Sequence, residues 1–226
     1  MESSAPGKVI LCGEHSVVYG QPAIAVPVTG LRCRARVEPA LPGSGLLLVA
    51  ADLNQRTFLQ TAAHDHPLAV LARLVLEHLH CSEPDAVLTI HSDLPIAAGL
   101  GSGAAVSVAA GRALAGFLGH VLSEEDVSAL AYEVEKLHHG TPSGIDNTVI
   151  AWERPVFFVK GHAPEVLAIS APLRLLVADS GFPAATREAV AGVRQRCESD
   201  PDFYAAHFSQ IGALVKLART VLEQQD

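Results

Sequence analysis

The chain has 226 residues, of which 49% are hydrophobic and 18% are charged, and its formal net charge is −8. This composition is typical of a globular protein and excludes a disordered, collagen-like or disulfide-stapled chain. The acidic excess argues against nucleic acid as the main partner. The four cysteines lack the spacing of a metal knuckle, which favours reduced thiols.

Two apolar stretches bear on where the protein resides. The N-terminal run at residues 9–12 is too short for a signal peptide. The longest uncharged stretch, residues 94–111, contains Pro95 and four glycines, so it favours a loop leading into a helix over a membrane span. We therefore expect a cytoplasmic protein that does not bind membranes.

The hydrophobic pattern predicts a mixture of strands and helices. Strands are expected at residues 9–11, 17–19, 23–28, 31–38, 46–51, 57–60, 86–91, 148–152, 156–159 and 173–178. Helices are expected at residues 67–80, 104–118, 186–197 and 203–223, and from a capping box at Ser123 and Asp126 to residue 139. Because strands and helices do not alternate strictly, we expect an α+β fold.

A glycine-rich segment, residues 99–104, leads into the second predicted helix. Glycines there let backbone N–H groups point toward an anion, so the segment favours phosphate binding, although a simple flexible turn explains it equally well. The same residues fit a dinucleotide-binding pattern, but residues 92–98 separate them from the preceding strand, which argues against a dehydrogenase. There is no Walker A loop, and Ser102 lacks the context of a hydrolase nucleophile.

Phosphoryl transfer also needs a cation near the transferred group, a carboxylate near the attacking hydroxyl and an oxygen ligand for a divalent metal ion. Lys8, Asp146 and Glu135 are candidates for these three roles. Each has a simpler interpretation when taken alone: a solvated lysine, a turn residue and an exposed helix carboxylate. The histidines have no zinc-site spacing.

Residues 5–20, 95–105 and 135–146, in that order, strongly resemble three motifs of the mevalonate kinases, which belong to the GHMP kinase superfamily, and residues 181–187 resemble a fourth. The resemblance covers nearly the whole chain. It implies an α+β GHMP kinase fold whose N-terminal domain, residues 1–168, is similar to ribosomal protein S5 domain 2. Residues 169–226 would form an incomplete ferredoxin-like α/β domain.

The resemblance also implies a reaction, in which ATP and Mg²⁺ are used to phosphorylate the 5-hydroxyl of mevalonate on the route to isoprenoids. Asp146 would take the hydroxyl proton, Lys8 would make the hydroxyl more acidic and contact phosphate, and Glu135 would hold Mg²⁺. The positions that match the mevalonate site are Glu14, His15, Ser143 and Thr186. The positions that match the ATP phosphate loop are Ala97, Ala98, Gly99, Leu100, Gly101, Ser102 and Gly103.

Two departures from the family pattern qualify this expectation. Gly103 stands where the family has a serine that binds Mg²⁺, so Ser102 or water would supply that oxygen. The superfamily's third glycine-rich motif, expected beyond residue 223, is missing. We therefore expect a truncated second domain that leaves apolar surface uncovered, and weak activity or none.

Other functions remain open at this point. Phosphomevalonate, homoserine and galactose kinases belong to the same superfamily, and a non-catalytic nucleotide-binding protein on a decayed kinase fold would also retain the phosphate loop. The family resemblance makes a homodimer a reasonable expectation. The substrates implied are ATP and mevalonate, with no nucleic-acid partner.

Overall fold

The computed structural model describes residues 1–139, 142–178 and 186–224, and describes only the backbone at residues 138–139 and 186–190. In these residues one sheet contains the strands β1 (Glu2–Cys12), β2 (Ala23–Pro39), β3 (Leu46–Ala50), β4 (Gln55–Phe58), β5 (Ala86–Ser92), β6 (Val156–Phe158) and β7 (Glu165–Val166). The helices are α1 (Pro67–His78), α2 (Ser102–Phe117), α3 (Glu124–His139), α4 (Ile145–Trp152), α5 (Thr186–Ser199) and α6 (Pro201–Glu223). Short 3₁₀ turns lie at Ser16–Tyr19 and Ala51–Leu53.

The long strand β2 organises the sheet. It pairs with β1 along one edge, and along the other edge it pairs with β6 near its start and with β5 near its end. β5 then runs parallel to β3, which forms an antiparallel pair with β4. The two strands predicted at residues 23–28 and 31–38 are therefore one strand, because the β1–β2 ladder resumes after an irregularity at residues 29–31.

Helix α2 lies at the centre of the core and contacts β1, β2 and β5 as well as α1, α3 and α4. Its buried positions are mostly alanine. A Cβ added at Gly111 would lie 3.5–3.8 Å from side-chain atoms of Val127, Val75 and Leu71. Small residues let the helices approach closely, which explains how a chain with only 5% aromatic residues fills its core.

The predicted capping box at the start of α3 is confirmed. The Ser123 hydroxyl donates to Asp126 Oδ2 at 2.7 Å, and the Asp126 backbone N–H donates to Ser123 Oγ at 3.0 Å. These bonds satisfy a donor that the first helical turn cannot satisfy itself. The start of α3, and hence the register of its inward face, is thus set locally.

Three predicted strands are wrong. Residues 148–152 belong to helix α4, which is buried on nearly all sides, so its β-branched side chains pack as well in a helix as in a strand. Residues 17–19 form the 3₁₀ turn Ser16–Tyr19. Residues 173–178 have no strand pairing among the described residues, and Leu176 is 98% exposed.

Helix α6 packs against β2 and against the turn Ser16–Tyr19. It contributes to a second apolar cluster, whose buried members are Ile24, Phe157, Leu167 and Val215. Its outer face exposes Leu214, Leu217 and Val221.

No described helix is both long and apolar enough to cross a membrane. The domain boundary between residues 168 and 169 stays a prediction.

Candidate active site

A cavity of about 990 Å³ lies at the N-terminal ends of α2 and α4. It is lined by side chains from β1, from the turn that follows it, from the glycine-rich segment and from α3. The predicted site residues that line it are Lys8, Glu14, His15, Ala97, Gly99, Gly101, Ser102, Gly103, Glu135, Ser143 and Asp146. Positions that are up to 138 residues apart in the chain therefore meet around one space.

Two predicted positions in the described part of the chain, Ala98 and Leu100, are placed differently. Ala98 and Leu100 belong to the glycine-rich segment but do not line the cavity, and Leu100 is buried, with its carbonyl accepting the backbone N–H of Lys8 at 2.9 Å. This bond ties the segment to β1. The side chain of Thr186 lies outside the described residues, as do residues 181–185 of the fourth motif.

The glycine-rich segment reaches the start of α2 through three left-handed residues, Ala97, Gly99 and Gly101, with φ of 58°, 75° and 70°. A Cβ at Gly101 would lie 2.9 Å from side-chain atoms of both Lys8 and Ile150. Only glycine fits this position, because the backbone conformation and the close packing both exclude a side chain. The positive end of α2 thus faces the cavity, where it can bind an anionic group.

Lys8 and Asp146 form an ion pair, with Lys8 Nζ 2.9 Å from Asp146 Oδ2. The lysine is buried, whereas the carboxylate is about a third exposed. Asp146 lies in the first turn of α4, where the helix dipole favours its negative charge. Asn147 fixes the helix, since its side-chain amide donates to the backbone carbonyl of Ser128 at 3.0 Å and to its hydroxyl oxygen at 2.9 Å.

Glu135 on α3 is buried, and its carboxylate lies against the start of α2. A Cβ at Gly103 would lie 2.9 Å from Glu135 Oε1, so the glycine leaves room for this carboxylate. The hydroxyl of Ser102 lines the same cavity. Hard oxygen donors next to the N-terminus of a helix suit Mg²⁺, which binds proteins through one or two carboxylates and keeps water and phosphate oxygens as its other ligands.

The Glu14–His15 turn is a strained segment that follows β1. Gly13 and His15 have φ of 95° and 60°. A Cβ at Gly13 would lie 2.5 Å from the Pro22 carbonyl oxygen and 2.6 Å from the Ala23 Cα. The Ser16 hydroxyl donates to the Gly13 carbonyl at 3.0 Å, which closes the turn and holds Glu14 and His15 at the cavity wall.

Two further residues that line the cavity were not predicted from the sequence. Asp52 accepts the backbone N–H of Ser92 at 2.7 Å, and this bond, together with His91, lowers the pKa of its carboxyl. Arg194 on α5 adds a guanidinium to the cavity lining. Neither residue belongs to a local motif, because each reaches the cavity only through the packing of distant elements.

Comparisons with known proteins identify related sequences and structures. Residues 66–153 match the family model for the GHMP kinases N terminal domain. A mevalonate kinase of Pyrococcus furiosus is 35% identical over 97% of this chain and 69% of its own length. The crystal structure of L. major mevalonate kinase in complex with R-mevalonate has a TM-score of 0.77 at 27% identity, over 99% of this chain and 69% of that one.

A third comparison concerns the fold alone. The Methanococcus jannaschii mevalonate kinase, at 22% identity, has a TM-score of 0.78 over 98% of this chain and 73% of its own. The chain belongs to the mevalonate kinases of the GHMP kinase family. The predicted α+β GHMP kinase fold is confirmed. The chain spans 69% of the length of the Pyrococcus relative.

Proposed function

We propose that the chain transfers the γ-phosphoryl group of ATP to the 5-hydroxyl of mevalonate. The observation that carries this proposal is the ion pair of Lys8 and Asp146, which lies in a cavity at the N-terminus of α2. A buried cation and an adjacent carboxylate at a phosphate-binding helix end are the groups that phosphoryl transfer to a hydroxyl requires. The relatives at 31–35% identity over most of this chain are mevalonate kinases.

The charges along the cavity support one orientation of ATP. The phosphates would lie against the start of α2, near Lys8 and Ser102, where backbone N–H groups and a cation favour them. At the other end, the lowered pKa of Asp52 keeps a negative charge that repels phosphate but can accept a hydrogen bond from a nucleoside. The apolar side chains of Leu48 and Ile90, which line that end, would pack against the base.

The acceptor would lie between the Glu14–His15 turn and Asp146. Glu14, His15 and Ser143 offer hydrogen-bonding groups there. Thr186 belongs to the set that the sequence predicts, and its side chain lies outside the described part of the structure. Mevalonate also has a carboxylate, which needs a positive partner. We assign Arg194 to that carboxylate, because its side chain lines the cavity and a guanidinium can bind a carboxylate through two hydrogen bonds.

In the proposed reaction, Asp146 accepts the proton of the 5-hydroxyl as its oxygen attacks the γ-phosphorus. The bond between that phosphorus and the β,γ-bridging oxygen breaks, and ADP leaves with the electron pair. Lys8 holds the Asp146 carboxylate in place and stabilises the negative charge that develops on the transferred group. Bound Mg²⁺ supplies further charge neutralisation on the phosphates, and Glu135 and Ser102 are the residues that would hold it.

The direct test measures ADP release by the purified chain with Mg·ATP and mevalonate, with phosphomevalonate, homoserine and galactose as competing acceptors. ADP release that requires mevalonate supports the proposal, and the departure at Gly103 leads us to expect a low rate. ADP release with another acceptor alone would indicate that the chain phosphorylates that acceptor instead of mevalonate. ATP binding without ADP release for every acceptor would indicate a non-catalytic nucleotide-binding protein.

Gly103→Ser should raise the affinity for the metal ion, because it adds a hydroxyl beside Glu135 at the start of α2. The new Cβ requires only the flexible end of the Glu135 side chain to shift. We expect the nucleotide-dependent Kd for Mn²⁺, measured by electron paramagnetic resonance, to fall about tenfold, the effect of about 1.4 kcal/mol from one added ligand. Gly103→Ala is the matched control, and an equal gain with alanine would contradict the role of the oxygen.

Arg194→Gln should raise the KM for mevalonate and leave the KM for ATP nearly unchanged. A hydrogen bond to a charged group contributes about 1.5–3 kcal/mol, so the expected increase is about ten- to a hundredfold. Arg196→Gln removes the same charge from the same helix at a position that does not line the cavity. Equal effects of the two variants would mean that Arg194 acts only through net charge.

A further inference from the structure

Helix α6 contacts the turn that carries the acceptor-binding residues. The Phe208 ring stacks on the Tyr19 ring, with centroids 4.6 Å apart and planes at 21°. One helical turn later, Gly212 packs so closely on Gln21 that a Cβ there would overlap its side-chain oxygen. Phe208 is buried. The helix therefore covers both ends of the short segment from Tyr19 to Gln21.

Backbone hydrogen bonds connect this segment with Glu14 and His15. The Val17 N–H donates to the Gly13 carbonyl at 3.1 Å, and the Val18 N–H donates to the His15 carbonyl at 3.1 Å. The Gln21 N–H donates to the Ser16 carbonyl at 3.2 Å. A displacement of the 3₁₀ turn would therefore move His15, which precedes it directly.

The turn needs such support because its conformation is unfavourable in isolation. A histidine with φ of 60° is held in a sparsely populated region, which costs about 1–3 kcal/mol and persists only where the surrounding structure enforces it. The ring of Tyr19 is the part of the turn that α6 holds. Burial, and then a hydrogen bond with the Cys197 thiol on α5, raise the pKa of Tyr19, although the residue is still 39% exposed.

We propose that Phe208 is a positioning residue for the acceptor site: through its stack on Tyr19 it holds the turn that directs Glu14 and His15 into the cavity. The inference rests on the proposed function. Neither Phe208 nor Tyr19 lines the cavity, so the effect passes through the turn. The glycine-rich segment is packed instead against Lys8 and Ile150 at Gly101.

The test compares Phe208→Ala with Phe203→Ala. Phe203 lies on the same helix, but it is half exposed and contacts the His207 ring at a tilt of 36°. An aromatic pair contributes up to about a factor of ten to an equilibrium constant. We expect Phe208→Ala to raise the KM and Kd for mevalonate about five- to tenfold and to leave those for ATP within about twofold, whereas Phe203→Ala changes neither.

Tyr19→Ala should have the same effect as Phe208→Ala, and the double variant should be no worse than either single one, because the two rings act as one unit. Phe208→Tyr, which keeps the aromatic ring, should have the same KM for mevalonate as the original chain. An equal rise in both KM values, or additive effects in the double variant, would overturn the proposal in favour of a general structural role.

A readout that needs no substrate separates this proposal from the proposed function. The ¹H–¹³C resonance of the His15 ring, assigned through His15→Gln, should shift or broaden in Phe208→Ala. The resonance of His66, which lines the cavity from the start of α1, should stay unchanged. Absence of mevalonate binding in the original chain would refute the proposed function without altering this result. An unchanged His15 resonance would overturn the positioning role.

Discussion

Asp146→Asn is expected to reduce mevalonate-dependent ADP release by about 10²–10⁴-fold, the range for loss of a general base. Asparagine keeps the size of the side chain and one hydrogen-bond acceptor for Lys8, but it cannot take the proton of the hydroxyl. The change also removes the ion-pair partner of the buried Lys8. The free energy of unfolding should therefore fall by about 1–3 kcal/mol.

Asp202→Asn is the matched control for this experiment. Asp202 lies in the first turn of α6, as Asp146 lies in the first turn of α4, so both substitutions remove a charge that the helix dipole favours. The measurements are steady-state ADP release, ATP binding and urea unfolding. Asp202→Asn should keep the activity, and ATP should bind to both variants. Full turnover by Asp146→Asn would contradict the assignment of the base.

Gly13→Ala is expected to lower the free energy of unfolding by about 2–5 kcal/mol. A left-handed conformation costs alanine about 1–2 kcal/mol, and overpacking costs about 1–3 kcal/mol more. The overpacking arises because the new Cβ would lie 2.5–2.6 Å from backbone atoms of Pro22 and Ala23, which cannot move independently of the sheet. Urea unfolding monitored by circular dichroism measures the change.

Gly20→Ala separates the two causes. Gly20 also has a positive φ, of 83°, but no atom lies within 4 Å of a Cβ added there. Gly20→Ala should therefore lower the free energy of unfolding only by the cost of the left-handed conformation, about 1–2 kcal/mol. Because the Gly13 backbone closes the Glu14–His15 turn, Gly13→Ala should also weaken mevalonate binding. Equal losses of stability in both variants would mean that the contact with Pro22 and Ala23 has no effect.

The amino-acid sequence by itself determined the elements whose signals are local. Helices α1 and α3 follow from apolar spacing, and the Ser123–Asp126 capping box gives the start of α3. The glycine-rich segment and the motifs around Lys8, Glu135 and Asp146 indicated the phosphate site and the family. These features were readable because short-range spacing and backbone freedom depend on neighbouring residues alone.

The tertiary structure determines which residues that are distant in the sequence contact one another. Helix α4 forms where β-branched residues favour a strand, because burial on nearly every side outweighs local propensity. Asp52 and Arg194 join the cavity, and Phe208 reaches Tyr19, only after the sheet and the C-terminal helices have packed. The Lys8–Asp146 ion pair likewise joins residues 138 positions apart. Such contacts depend on a folded geometry that no local pattern of residues contains.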